Sequence, residues 1–241
     1  MVSVETLGAP EREGTGRVDL ELELAGRCFM YALLSRAFGK EPDEGFCALL
    51  ASDHARSMFS MYEGRCPWAE EAGRALDGLR ADGMAQPHTL AGAAAERLAQ
   101  LRADYTYLFL GPGALPAALW ESVYLTGRNE VYTEETLAVR SAYRDNGFSV
   151  EAFPFVADDH IAVELAFAAA LSKSAFDALG RAEGAGELRR AIVAHDRFLD
   201  EHLNRWATPF AERMVAQTKT GPLYPALAAF AAQFCQSARK V

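Results

Sequence analysis

The chain has 241 residues, half of them hydrophobic and 24% charged, with a formal net charge of −9. That balance fits a globular protein with a substantial core and argues against nucleic acid or anionic membrane as a partner, since both need clustered Lys and Arg. Ile occurs only at Ile161 and Ile192, while Ala, Leu, Glu and Arg dominate. Helices favour that composition and strand interiors do not, so the expected class is all-α.

Residues 1–17 are polar and Gly-containing and read as a disordered tail, without the apolar core of a signal peptide. A first helix follows, with apolar steps at Leu20, Leu24, Cys28, Tyr31, Leu34 and Phe38, ended by Gly39 and Pro42. Shorter helices are expected over 43–50, 53–62 and 67–82. Thr89 is placed to cap a long helix striped by Leu90, Ala94, Leu98, Leu101, Tyr105 and Leu108. The GPGALP segment, 111–116, opens a loop that carries Trp120, Tyr124 and Tyr132 among Glu121 and Glu130. Loop aromatics either pack back on the core or line a binding surface.

A helix over about 130–146 ends at Asn146-Gly147. Then comes EAFPFVADDHIAVELAFAAAL, residues 151–171. Pro154 cannot continue a helix, Asp158 or Asp159 suits the N-cap of the next one, and the apolar run places that helix in the core. Later helices are expected over 187–206, from a Thr208-Pro209 start, and over 223–239. The result is one helical-bundle-like domain of about ten helices, residues 18–241, with halves of about 18–110 and 129–241 joined by the Pro/Gly loop. No run is long enough to span a membrane.

Cys28, Cys47, Cys66 and Cys235 form no C-x-x-C pair and read as reduced core thiols in a cytoplasmic protein. His160 and Glu164 share a helix face, but no His has an acidic residue three positions before it, and no H-E-x-x-H occurs. No metal site is therefore expected. His195 and His202 are seven apart, the second read as partly exposed. There is no nucleophile elbow, phosphate loop or dinucleotide fingerprint, and the expected protein is not an enzyme.

Binding remains. One aspartate serves as a cap, but Asp158, Asp159, His160 and Glu164 together are more than a cap requires. Facing a groove, they would receive guanidinium groups. Glu164 is expected to be buried and paired with an Arg or a Tyr hydroxyl from another helix. Two other classes fit the same residues: a helical metal protein or enzyme using His160 and Glu164, and a helical scaffold.

Five segments then carry a resemblance. DDHIAVELAF (158–167) is similar to the P-D-H-I-x-x-E-L-x-F motif of the TorD/DmsD-type, NarJ-related redox-enzyme maturation chaperones. YALLSRAF (31–38), DYTYLFLGPG (104–113), PAALWESVY (116–124) and FLDEHLNRW (198–206) resemble further motifs of that family, in order, over roughly 18–239. The family's proline before D-H-I is replaced by Asp158. The resemblance implies a cytoplasmic, all-α chaperone. Such a chaperone binds the twin-arginine signal peptide and apo form of a molybdopterin oxidoreductase subunit and delays export until the cofactor is inserted. It implies a signal-peptide site drawn from Trp120, Glu121, Ser122, Tyr124, Asp158, Asp159, His160 and Glu164. It implies no cofactor of the chain's own; weak guanine nucleotide binding, reported for some family members, stays open. Trp120 and Tyr124 are expected to border the same groove as Asp159 and His160.

Overall fold

The computed structural model describes residues 11–86, 91–111, 115–128, 130, 132–150 and 156–238. Helix α1 runs from Glu11 to Gly39. It starts seven residues ahead of the expected domain boundary, so 11–17 are helical, while residues 1–10 lie outside the described residues. The three–four spacing read from sequence buries Leu24, Tyr31, Leu34 and Phe38. Arg27 is buried on the same helix and bonds Glu23 at 3.1 Å, one turn back.

Helices α2 (Glu44–Leu50), α3 (Asp53–Ser60) and α4 (Trp68–Ala81) fall where expected. Asp43 and Ser52 cap the first two by accepting backbone N–H groups. Helix α5 covers Ala93–Tyr105 and runs into a π-helical turn, Thr106–Leu110. The expected Thr89 cap lies outside the described residues. The segment read as one long loop contains a short helix, α6 (Glu121–Thr126), closed by Gly127 at φ 68°. Helix α7 is Glu134–Asp145, and Gly147 at φ 70° provides the left-handed stop expected of Asn146-Gly147.

The central helix α8 spans Ile161–Leu179 and packs along α1, so the two halves read from sequence share one core. The two helices come close: a Cβ on Gly39 would stand 2.9 Å from that of Ala162, which only glycine accommodates. Helix α9 (Ala185–Phe198) passes through a second π turn, Leu199–Leu203, into α10 (Asn204–Val215). The expected start at Thr208-Pro209 is therefore wrong: Pro209 sits inside α10. Its missing N–H leaves a gap in the helical ladder, while Thr208 Oγ1 accepts a bond from Gln236 of α11 (Leu223–Ser237) at 3.0 Å. Helix α11 packs against α4 and α10. The described residues include no strand, only an isolated antiparallel bridge between Trp120 and His160.

Cys47, Cys66 and Cys235 are buried, and no disulfide joins the described cysteines. Burial pushes the Cys47 thiol up to about 11, which makes it a packing group rather than a nucleophile.

Candidate functional site

The Trp120–His160 bridge fastens the entry to α6 beside the entry to α8. Two backbone bonds hold the pair: Ile161 N–H to Leu119 O at 2.8 Å and Glu121 N–H to Asp159 O at 3.0 Å. Each acidic residue singled out from sequence then turns into the protein. Asp159 is fully buried, and its carboxylate accepts the Ser122 N–H at 3.0 Å, satisfying the start of α6. It is thus not the N-cap of its own helix; neither is Asp158. His160 fills that place, its Nδ1 accepting the Ala162 N–H at 3.1 Å.

Asp158 is buried and paired with Arg140 of α7 at 2.6 Å. Its carbonyl also accepts the Tyr143 hydroxyl at 2.8 Å. Both contacts tie α7 to the turn before α8.

Glu164 is fully buried, and its partner is neither Arg nor Tyr but the Trp206 indole N–H of α10, at 3.2 Å. A second carboxylate faces it. Glu121 is buried and bonds His202 Nδ1 at 3.0 Å. Burial first, then the charge of the nearby Glu121 carboxylate, hold the Glu164 carboxyl well above the usual range. Burial raises Glu121 as well, against the pull of His202. His202 is therefore a buried member of this cluster, not the partly exposed residue expected. It lies in the π turn, whose extra residue shifts the side-chain register read from a regular helix. The signal was present in FLDEHLNRW, which places His202 and Trp206 four apart.

A groove of about 860 Å³ opens beside this frame. Trp120 and His160 line it, with their rings edge to face at 5.7 Å, and Tyr132, Val156 and Val163 add apolar wall. The described lining carries no carboxylate. The expectation that Asp159 borders the groove together with Trp120 is thus corrected: backbone pairing turns the carboxylates inward and the rings outward. Tyr124 is also absent from this lining. Its ring packs at 5.3 Å from Trp206, and its hydroxyl donates to Ala118 O at 2.9 Å. Ser122 is buried, and its hydroxyl donates to Glu130 O at 3.2 Å.

The His160–Glu164 pair does not point at a common centre, since one caps a helix and the other meets Trp206. Among the described residues, no three His, Cys, Asp or Glu side chains are grouped to hold a metal ion. No helix of the described residues is long and apolar enough to cross a membrane.

Burial holds the His160 imidazole down to about 4, so at neutral pH it is uncharged, with Nδ1 free to accept and the proton on Nε2. The unfolded chain takes up a proton at this residue below about 6.5, while the folded chain resists until about 4. His160 therefore contributes stability that is fully present above pH 6.5 and lost as pH falls to 4, by at most about 3 kcal/mol. The buried glutamates titrate with the opposite sign and lose stability as pH rises above the ordinary carboxylate range. A His160→Asn variant keeps a capping acceptor and removes the titration. Urea unfolding between pH 4.5 and 7 is expected to show a smaller gain with pH in the variant than in wild type; equal slopes would contradict the imidazole's low affinity for protons.

The architecture is all-helical, with a buried acidic frame beside an aromatic-walled groove. A family model described as nitrate reductase delta subunit matches residues 68–212, and the chain belongs to that family. It is similar to the probable Tat proofreading chaperone DmsD of Haemophilus influenzae, 29% identical over 52% of this chain and 53% of that protein. It is also similar to chaperone protein TorD of Vibrio cholerae, 32% identical over 57% of this chain and 60% of that protein. With chaperone protein TorD of Shewanella loihica it shares 28% identity over 84% of this chain and 86% of that protein. The chain thus spans between half and three-fifths of the first two relatives. The TorD/DmsD-type resemblance read from the five motifs is borne out.

Proposed function

We propose that the chain is a maturation chaperone for an exported redox enzyme, working in the cytoplasm by binding rather than catalysis. Its client is the twin-arginine signal peptide and apo form of a molybdopterin oxidoreductase subunit, held back from export until the cofactor is inserted. The observation that carries this reading is the groove walled by Trp120 and His160, at the junction of two segments that match the family's motifs. Its size and apolar walls suit an apolar stretch of peptide, as in helix-in-groove recognition.

Within the sequence-derived set, Trp120 and His160 contact the peptide. Asp158, Asp159, Glu121, Ser122 and Glu164 hold those two rings in place, and Tyr124 supports α6 from the core side. The twin arginines are drawn by the long-range field of a chain with net charge −9. Calorimetric titration with the synthetic leader of an oxidoreductase encoded beside this chain is the test. Saturable binding that weakens with added salt is the expected result. No binding of any such leader would remove the assignment.

A further inference from the structure

Trp120 walls two cavities. One is the groove described above. The other, of about 610 Å³, lies between the π turn after α5 and the α6 segment, and is lined by Leu110, Leu115, Val123, Arg128 and Arg213 as well as Trp120. Their charge differs. The groove's described lining holds no charged residue, whereas the described lining of this pocket holds two arginines and no carboxylate. In a chain with 33 acidic residues against 24 basic ones, that local reversal stands out.

Arg213 spends its guanidinium on the face of Tyr124, 4.5 Å from the ring centroid, and is in no salt bridge among the described residues. A guanidinium stacked on an aromatic ring keeps its N–H edge for a planar anion. Arg128 reaches Glu130 only at 3.9 Å, with both side chains largely exposed, a contact of little energetic weight. Leu110 at the rim is 61% exposed, and Lys219 lies 5.9 Å over the nearby Tyr107 ring. The surface beside the pocket is thus apolar and cationic.

The geometry points to a second peptide subsite, on the far side of Trp120 from the groove, that takes a client segment carrying an Asp or Glu among apolar residues. The carboxylate meets Arg213 and the apolar neighbours cover Leu110 and Leu115. This inference rests on the proposed function, because the segment is continuous with the leader seated in the groove and crosses Trp120 to reach the pocket.

The test titrates the full chain with the leader alone, with the leader extended at either end by Leu-Asp-Leu, and with Leu-Asn-Leu in the same places. For wild type, the Asp form is expected to bind about three- to tenfold tighter than the Asn form at one of the two ends. Arg213→Gln should abolish that difference, and Arg128→Gln, on an exposed turn where folding is not at stake, should reduce it. Equal affinity of the Asp and Asn forms at both ends, with the plain leader still bound, overturns the subsite and leaves the chaperone reading intact. The same holds if the difference survives in both Arg variants. A plain leader that does not bind overturns the chaperone reading itself.

Discussion

Replacing Trp206 with alanine is expected to destabilise the fold by about 3–5 kcal/mol, the range for truncating a buried tryptophan. Trp206 is fully buried, and its ring lies 5.3 Å from Tyr124 and 5.8 Å from Phe210. Its indole N–H is also the bond that satisfies Glu164 Oε2. Truncation thus opens a cavity and leaves a carboxyl oxygen unpaired. For a chain of this size the melting temperature should fall by roughly 10 °C or more. Trp206→Phe keeps most of the packing and loses only the bond, so its cost should be about 1–3 kcal/mol. Thermal unfolding of the two variants at pH 7 separates the contributions. An alanine variant that melts with wild type would show that Trp206 is not buried against Tyr124, Phe210 and Glu164.

Arg140→Ala is expected to cost about 3 kcal/mol, because it leaves the buried Asp158 carboxylate without the guanidinium that holds it at 2.6 Å. Arg140 keeps some exposure, which places the effect at the lower end of the range for broken buried pairs. The double variant Arg140→Ala/Asp158→Ala should recover part of that loss, since an alanine in place of the uncompensated carboxylate removes the buried charge. Urea denaturation of wild type, both single variants and the double variant gives the coupling directly. A double variant less stable than Arg140→Ala by the full cost of Asp158→Ala would mean that the two side chains do not interact. The pair also ties α7 to the turn before α8.

Much of the architecture was legible because the core helices obey their period. In α1 Leu24, Tyr31, Leu34 and Phe38 of the stripe bury as spaced while Cys28 is only half-buried, and the helix ends at Gly39 as expected. The short helices after it also fall in the ranges expected, where Asp43 and Ser52 cap two of them. Three features were not legible. Which of Asp158, Asp159 and His160 caps α8 depends on α6 claiming the Asp159 carboxylate, a contact 37 residues away. The inward turn of His202 depends on a π turn, which shifts the register of a regular helix, so its spacing to Trp206 alone did not settle which way it faces. The start of α10 ahead of Pro209 depends on that same turn.

The site shows the same division. Sequence singled out the acidic residues around His160 and the aromatics around Glu121, and the structure brings these two groups together through the Trp120–His160 bridge. Which of them faces outward was set by the pairing of the two backbones, and that pairing is a tertiary fact. The carboxylates went to the interior, where each found a partner, and Trp120 and His160 were left to face the groove.

The most direct measurement is calorimetric titration of the twin-arginine leader against wild type, Trp120→Ala and Glu164→Gln, each first shown to be folded by circular dichroism. Trp120 stands in the groove, so its truncation should cost about 2 kcal/mol or more of binding free energy if it anchors the peptide. Glu164→Gln keeps the shape of a buried side chain that accepts from Trp206, so the leader should bind it within a few-fold of wild type. Undiminished binding by Trp120→Ala, together with a large loss in Glu164→Gln, would contradict the groove assignment and return the contact to the carboxylates.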